Sequence, residues 1–323
     1  MAELFLCILF QEVIALAIIE AFKKRYKRVH YGLDTRREFL LQYLDRAATK
    51  LFGKKTSFNR NSHIRRLVKK FKDGNIYRIR DVKMPVMDTI DEALLFGNIF
   101  EDTFTVYVTF DEDYSERIVD ICDEMLGEGP YGLVNDKVRV TVKPGDIVID
   151  AGSWAGDFAS YASVKGGTVY AFEPTETTFE ILKKTAELNG NIIPVNKGLS
   201  DKNEGQKLFA NVTGNSGGNG FRTSRDNPDS PETTCIVETI RLDDFVRENH
   251  LPRVDFIKAD IEGFERHMLA GAQETLARFA PKLALCTYHL PDDPEVMAKL
   301  ILQANPKYNI VQKRKKLFAS VPE

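Results

Sequence analysis

The second half of the chain alternates between short apolar runs and longer amphipathic stretches. Five runs have the length and composition of buried strands: "DIVIDA", "TVYAFE", "IIPV", "VDFIKAD" and "KLALCTYH". Between them lie segments with helical spacing, notably "TETTFEILKKTAELNG", "GFERHMLAGAQETLARF" and "DPEVMAKLILQA". Strands that are apolar on both faces must be covered by helices on both sides. The pattern therefore predicts an α/β fold with a doubly wound, mostly parallel sheet.

The first part of the chain has a different pattern. "REFLLQYLDRAATKLF" carries apolar residues at helical spacing, whereas "TFTVYVTF" alternates strictly, as a half-buried strand does. "GEGPYG" then interrupts both kinds of element, because glycine and proline break helices and strands. We predict a mainly helical N-terminal region with one strand over residues 1–127, and a Rossmann-like domain over residues 128–323.

Residues 4–22, "LFLCILFQEVIALAIIEAF", form the most apolar segment of the N-terminal region, and a basic run follows them. A membrane helix fits their length and flank, but Gln11, Glu12 and Glu20 interrupt the apolar stretch. These polar residues favour a helix buried in the core or in a homodimer interface. The sequence leaves both interpretations open.

The charge and the cysteines of the chain narrow the classes of partner. With 45 basic and 47 acidic residues among 323, the net charge is −2, so nothing in the overall charge favours binding to nucleic acid. The four cysteines form no CxxC pair, which argues against a structural zinc site and a disulfide framework. We expect a cytoplasmic location, with peripheral or anchored attachment at the cytoplasmic membrane face if residues 4–22 are a membrane helix.

The first predicted strand leads into a glycine-containing turn. Asp150 ends the strand, and Gly152 and Gly156 precede a predicted helix. Glycine permits positive φ and close approach of a ligand to the backbone. The turn lacks the middle glycine of the dinucleotide fingerprint, which disfavours a pyrophosphate site. Glu173 ends the next strand 21 residues after Gly152, close to the spacing of about 20 at which an acid meets a ribose.

Five blocks in order and spacing give the domain a family resemblance. "KPGDIVIDAGSWAGDFA", "VYAFEP", "TIRLDDF", "VDFIKADIEGFE" and "PKLALCTYH" resemble the FkbM family of S-adenosylmethionine (SAM) dependent methyltransferases, which have the class I Rossmann-like fold. The resemblance covers roughly residues 135–319. It implies SAM as the cofactor and S-adenosylhomocysteine as the product. It also implies a set of cofactor-binding residues: Asp150, Gly152, Ser153, Trp154, Gly156, Glu173, Ser200, Asp201 and Asp260.

The last two strands end in polar side chains that could act on an acceptor. Asp260 and Glu262 follow the fourth strand and His289 follows the fifth, so all three should meet at one edge of the sheet. An imidazole with its ordinary pKa near 6.5 is a natural general base, and the acids could orient it or take the proton instead. Two structural alternatives remain: the acids could cap a helix beginning near Gly263, and His289 could be a loop histidine.

A metal site is a third interpretation of these residues, since Asp, Glu and His are all metal ligands. We assign no metal ligands, because the chain lacks a second nearby Asp/Asn pair. The sequence thus predicts O-methylation of a hydroxyl on a small molecule, sugar or glycan-type acceptor. The alternatives are a nicotinamide-dependent oxidoreductase on the same fold and a noncatalytic SAM-binding or membrane-associated protein.

Overall fold

The computed structural model describes residues 72–79, 81–86, 114–116, 130–209, 220–221, 234–313 and 315–322. The segment 4–22 and the predicted strand "TFTVYVTF" lie outside these residues. The strands are β1 Lys72–Asp73, β2 Ile76–Ile79, β3 Val82–Pro85, β4 Leu133–Val134, β5 Arg139–Val140, β6 Ile147–Ala151, β7 Thr168–Phe172, β8 Ile192–Val195, β9 Gly198–Leu199, β10 Gly205–Phe209, β11 Gly220–Phe221, β12 Thr234–Ile240, β13 Phe256–Ala259, β14 Lys282–Cys286, β15 Asn309–Lys313 and β16 Lys316–Ser320. The helices are α1 Asp157–Val164, α2 Glu176–Asn189, α3 Leu242–Glu248, α4 Glu265–Ala270, α5 Gln273–Phe279 and α6 Asp293–Ala304.

The central sheet has seven strands in the order β15-β16-β14-β13-β6-β7-β8. The pairs β14–β13, β13–β6, β6–β7 and β7–β8 are parallel, and only the pairs that involve β16 are antiparallel. This arrangement confirms the predicted doubly wound, mostly parallel α/β sheet. The chain first builds outward from β6 to β8 and then continues with β13 on the other side of β6. The order of the strands therefore reverses between β6 and β13.

Helices cover both faces of this sheet, because consecutive strand residues point to opposite sides. Val148 belongs to one apolar core with Phe158 of α1 and Leu182 of α2. Its neighbour Ile149 belongs to a second core, with side chains from α3, α4, α5 and α6. Both β6 residues are fully buried. The double burial explains why the strands read as continuous apolar runs.

The helix predicted over "GFERHMLAGAQETLARF" is two helices, α4 and α5, with Gly271 between them. A Cβ at Gly271 would lie 2.1 Å from the carbonyl oxygen of Ser200. The two backbones pass too closely for a side chain at this position, and the helix is interrupted there. The glycine within the helical pattern was the available local signal. The antiparallel hairpin of β15 and β16 was also not predicted.

Three short strands in the predicted N-terminal region form an antiparallel sheet, β1-β2-β3. The prediction of one strand in this region is therefore wrong for residues 72–85. The missed signal is Gly74-Asn75, the two-residue turn between β1 and β2 in which Gly74 adopts φ +62°. The sheet packs on the domain: the Asn189 side chain of α2 donates to the Lys83 carbonyl oxygen at 2.8 Å, and Met84 is buried in the core of α1 and α2.

Outside the central sheet, β10 pairs antiparallel with both β11 and β12, and β9 pairs with β12 in parallel. Within the described residues, no helix has the length and apolarity that a membrane crossing requires.

Candidate active site

The ends of β6 and β13 meet where the strand order of the sheet reverses. The two strands run in parallel register, and the Asp260 N–H donates to the Ala151 carbonyl oxygen at 3.1 Å. Open α/β sheets bind ligands outside the carboxyl ends of their strands at such a point. The turn after Ala151 and the acids after Ala259 are therefore direct neighbours.

Gly152 is required by the close approach of these two strand ends. Its φ is +71°, which favours glycine, and a Cβ there would lie 2.0 Å from the Asp260 carbonyl oxygen. The N–H groups of Gly152 and Ser153 both donate to the Phe172 carbonyl oxygen, at 3.1 and 2.9 Å. The turn is thus fixed to the ends of both neighbouring strands.

Gly156 serves the packing of α1 against α2. It has φ +88°, and a Cβ there would lie 2.9 Å from side-chain atoms of both Leu182 and Thr185. The two glycines of the turn are therefore explained by packing within the chain. The spacing alone does not show a ligand.

Glu173 lies at the end of β7 and holds the turn through its carboxylate. Its Oε2 accepts a hydrogen bond from the Trp154 N–H at 3.1 Å, and its Oε1 accepts one from the Thr175 N–H at 2.8 Å. Burial raises the pKa of Glu173 to about 7, although these hydrogen bonds oppose the shift. Trp154 has φ +49°, uncommon for a residue other than glycine. Each carboxylate oxygen keeps a second lone pair for a ligand hydroxyl.

Asp150 is fully buried and forms an ion pair across the sheet with Lys258. The two residues are register partners on β6 and β13, and the Lys258 Nζ lies 3.1 Å from Asp150 Oδ1 and 2.6 Å from the Gly152 carbonyl oxygen. Burial opposes the charge of Lys258, but Asp150, Asp260 and Asp157 raise its pKa above the ordinary value. The sequence prediction missed Lys258, although a lysine inside an apolar strand, two residues before an acid, was the available signal.

Asp260 has a hydrogen-bond donor on each carboxylate oxygen. The Tyr131 hydroxyl donates to Oδ2 at 2.9 Å, and the Tyr288 hydroxyl donates to Oδ1 at 3.0 Å. Burial would raise the pKa of Asp260, but Lys258, His289 and further polar neighbours lower it below its usual range. Asp260 is therefore a carboxylate held in a fixed orientation.

His289 lies between three acidic side chains, of which Asp260 and Glu262 were predicted beside it. Its Nε2 is 3.5 Å from Glu262 Oε2 and 3.8 Å from Asp260 Oδ1, and its Nδ1 is 3.2 Å from Glu265 Oε1. We name Asp260, Glu262 and His289 the acid–histidine cluster. Burial opposes the charge of the imidazole, but interactions with Glu262 and Glu265 raise the pKa of His289 to about 10. The expected pKa near 6.5 is wrong for this environment, and a protonated imidazole cannot act as the base.

Glu265 organises the loop that carries Glu262. Its Oε1 accepts from the Ile261 N–H at 2.8 Å and its Oε2 accepts from the Gly263 N–H at 3.0 Å. Glu262 has φ +56°, a strained conformation for a residue with a side chain. This loop, and not a helix cap formed by Asp260 or Glu262, is the structural role found at this position. Burial raises the pKa of Glu262 above its ordinary value.

Three predicted cofactor-binding residues have no exposed surface: Asp150, Ser153 and Ser200. The Ser153 hydroxyl donates to the Asp150 carbonyl oxygen at 2.9 Å, and the Ser200 hydroxyl donates to Asp201 Oδ1 at 3.1 Å. The two hydroxyl groups thus hold the turns, and direct contact of these three residues with a cofactor stays a prediction. Asp201, which is partly exposed, lies 3.4 Å from the His267 Nδ1 of α4.

A known family matches the part of the chain that carries these residues. The family described as the methyltransferase FkbM domain matches residues 147–308, half of the chain.

Two curated relatives support the match. The hexuronic acid methyltransferase AglP of Haloferax volcanii is 28% identical over 165 residues, which are 49% of this chain and 62% of that protein. The 31-O-demethyl-FK506 methyltransferase FkbM of Streptomyces tacrolimicus is 28% identical over 162 residues, which are 42% of this chain and 62% of that protein. The matched regions thus span less than two thirds of either relative.

Solved structures similar to this chain include an FkbM methyltransferase from Methylobacillus flagellatus, with 17% identity and a TM-score of 0.42 over 80% of this chain and 57% of that one. Another is fibrillarin from Aeropyrum pernix with bound S-adenosyl-L-methionine, with 15% identity and a TM-score of 0.36 over 57% of this chain and 70% of that one.

Proposed function

Because the chain belongs to the family of FkbM methyltransferase domains, we propose that it transfers a methyl group from SAM to a hydroxyl of a small-molecule or saccharide acceptor. The observation that carries this proposal is the hydrogen bond from the Asp260 N–H to the Ala151 carbonyl oxygen. This bond holds the acid–histidine cluster beside the glycine turn. A donor on the turn and an acceptor at the cluster would be neighbours.

The residues around the turn fit the polar half of SAM. Glu173 offers two carboxylate oxygens to the ribose hydroxyls, each with a lone pair beyond its backbone hydrogen bond. The N-terminus of α1 opens at the same turn and has no side-chain cap. Gly152, Trp154 and Gly156 supply the backbone of the turn against which the cofactor would lie. When bound, SAM supplies a methyl group already activated on a sulfonium, whose S–C bond breaks with its electron pair left on sulfur as the O–C bond forms.

The acid–histidine cluster would orient the acceptor and handle its proton. A hydroxyl that attacks the methyl carbon must lose a proton, and His289 is already protonated at neutral pH. The proton therefore passes to a carboxylate, Asp260 or Glu262. His289 acts as a hydrogen-bond donor that positions the acceptor oxygen. Tyr131 and Tyr288 hold Asp260 in place for this role.

Support for a saccharide acceptor comes from a relative, since the AglP protein is named a hexuronic acid methyltransferase. The polar lining of the cluster suits a hydroxyl-bearing acceptor. Of the two alternatives from sequence, a nicotinamide oxidoreductase is less well supported, because two side chains of α2 fill the space beside Gly156 and the turn lacks the middle glycine.

The first test is calorimetric titration of the purified protein with SAM, S-adenosylhomocysteine and NAD. We expect binding of the two sulfur compounds, loss of that binding in Glu173→Ala, and no binding of NAD. Glu187→Ala removes an exposed carboxylate from α2 and should bind like the wild type. Binding of NAD alone by folded protein would overturn the proposal.

The second test is transfer of a labelled methyl group to a panel of monosaccharides, uronic acids and polyols. Glu262→Gln should lower the turnover about 10²- to 10⁴-fold if its carboxylate takes the proton. Full turnover in both Glu262→Gln and Asp260→Asn would place the proton acceptor elsewhere.

A further inference from the structure

We infer that the acid–histidine cluster binds a divalent metal ion through Asp260, Glu262 and His289. One potential ligand atom from each of the three side chains lies within 4.8 Å of the others. Metal–ligand bonds of about 2.0–2.2 Å place neighbouring ligand atoms about 3 Å apart. The spacings of 3.5 and 3.8 Å from the His289 Nε2 need only a small contraction, and the two carboxylates must approach each other from within 4.8 Å. Glu262 is the most exposed of the three and can supply it.

His289 is the independent sign that a ligand belongs at the cluster. Its side chain is only 9% exposed. Neither ring nitrogen satisfies the geometry of a hydrogen bond in the described part of the chain, despite the nearby carboxylates. Buried polar atoms without a hydrogen bond are rare and point to a missing partner. Here Nε2 faces the space that Asp260 and Glu262 also face.

The residues behind the cluster have the arrangement that orients metal ligands in proteins. A metal-binding histidine usually donates its other ring N–H to a carboxylate, which fixes the tautomer. Glu265 Oε1 lies 3.2 Å from the His289 Nδ1, and two backbone N–H groups hold the Glu265 carboxylate. Ligating carboxylates are in turn hydrogen-bonded, as Asp260 is by Tyr131 and Tyr288. Two strand lysines, Lys258 and Lys316, also act on Asp260, and Lys258 is engaged with Asp150.

The donor set favours a particular class of ion. Two carboxylates and one imidazole suit Mn²⁺, Fe²⁺ or Zn²⁺ better than Ca²⁺ or Mg²⁺, which prefer oxygen ligands alone. Three protein ligands leave open positions for an oxygen of the acceptor. Binding of the ion at Nε2 displaces the imidazole proton into solvent, so His289 would then be a ligand and not a hydrogen-bond donor to the acceptor. If the proposed function holds, the ion would instead acidify the acceptor hydroxyl, whose proton would leave to the solvent or to an unbound carboxylate oxygen. The binding of the ion itself does not depend on that function.

The experiment is titration of the full chain, first stripped with EDTA and dialysed, with Mn²⁺ followed by electron paramagnetic resonance. We expect one bound Mn²⁺ per chain, with ¹⁴N coupling from an imidazole in pulsed spectra. Glu262→Gln should weaken binding at least tenfold, and His289→Asn should also remove the ¹⁴N coupling. Glu265→Gln should weaken binding about 10- to 100-fold, as outer partners of metal ligands do.

Matched control variants show whether a loss of Mn²⁺ binding is specific to the acid–histidine cluster. Glu248→Gln and His250→Asn change exposed residues of α3 and its C-terminal turn, and both should bind Mn²⁺ like the wild type. Because His289 is buried, its variant could lose the fold, so thermal unfolding is measured for every variant. Glu262→Gln, at a partly exposed side chain, keeps the inference testable in that case.

Failure of this inference can be told apart from failure of the proposed function. If the folded wild type binds no Mn²⁺, or if Glu262→Gln and His289→Asn both leave binding unchanged, there is no metal site at the cluster. SAM binding by the stripped protein would then leave the proposed methyltransferase function standing. Mn²⁺ binding with the expected variant pattern, but no SAM binding, would support the metal site and refute that function.

Discussion

Glu173 and Asp260 end two strands that flank β6, yet their carboxyl groups have opposite electrostatic environments. Glu173 accepts hydrogen bonds from two backbone N–H groups, and burial raises its pKa to about 7. Asp260 is also buried, but Lys258 and His289 act on it together with the Tyr131 hydroxyl, and its pKa is lowered. Equivalent positions at the ends of two strands therefore carry one carboxyl group with a pKa near 7 and one that stays ionised.

The difference shows that one edge of a sheet can hold two carboxyl groups whose pKa values suit two different functions. A carboxyl group that titrates near pH 7 suits hydrogen bonding to neutral hydroxyls, such as those of a ribose. A fixed carboxylate suits a position that faces positive charge, whether a sulfonium or a metal ion. Lys258 lowers the pKa of both carboxyl groups, but His289, Lys316 and the Tyr131 hydroxyl act on Asp260 as well. Among these groups Lys258 is the cation that forms the buried ion pair with Asp150 under the turn.

The largest expected effect comes from removing that cation. Lys258→Met leaves Asp150 charged and fully buried, and should lower the free energy of unfolding by about 3 to 5 kcal/mol, measured by urea denaturation. The double variant with Asp150→Leu should recover much of this loss, because the unpaired charge is gone. A loss below about 1 kcal/mol in the single variant would show that the pair does not hold the strand ends together.

Glu173→Gln should remove a pH dependence of stability. The pKa of Glu173 is about 7 in the folded protein against an ordinary 4.5, so the folded state keeps a proton that the unfolded state loses first. Its contribution to stability is full below pH 4.5 and is lost as the pH rises through 7, a total of about 3 kcal/mol.

Urea denaturation between pH 4 and 8 measures this effect. The wild type should lose this stability between pH 4.5 and 7, whereas Glu173→Gln should not, and Glu187→Gln should follow the wild type. Parallel curves for the wild type and Glu173→Gln would mean that the carboxyl group titrates normally.

Gly152→Ala tests the close contact between the turn after β6 and the backbone that follows β13. A Cβ there meets the Asp260 backbone and φ is positive, whereas a Cβ at Gly190, which has φ +75°, would meet nothing within 4 Å. Gly190→Ala should cost about 1 kcal/mol through backbone strain alone, and Gly152→Ala about 2 kcal/mol more through overpacking. Equal thermal shifts in the two variants would refute the close contact.

Ser153→Ala should have the smallest effect. It removes the hydrogen bond from the Ser153 hydroxyl to the Asp150 carbonyl oxygen, worth about 1 kcal/mol. SAM affinity should stay within about threefold, because the side chain is fully buried and its hydroxyl is bonded to the Asp150 carbonyl oxygen. A large loss of affinity with normal stability would support the predicted direct contact of Ser153 with the cofactor.

The sequence predicted the central sheet well because its strands are apolar on both faces and end in polar residues. It also predicted that Asp260, Glu262 and His289 would meet, since parallel strands bring their carboxyl ends to one edge. It could not predict the pKa of His289, because Glu265 reaches the ring only through the fold of the loop after β13. The break at Gly271 and the ion pair of Lys258 likewise depend on backbone and side-chain neighbours far away in sequence.

The hairpin of β2 and β3 bears on how the chain can be divided. Tyr77, Val82 and Met84 are buried in the same core as α1 and α2, and the Asn189 side chain both accepts from the Lys83 N–H and donates to the Lys83 carbonyl oxygen. A fragment that begins at residue 128 would expose this apolar surface to water. A fragment made to express this domain should therefore begin before residue 72, so that the β1-β2-β3 sheet still covers this apolar surface.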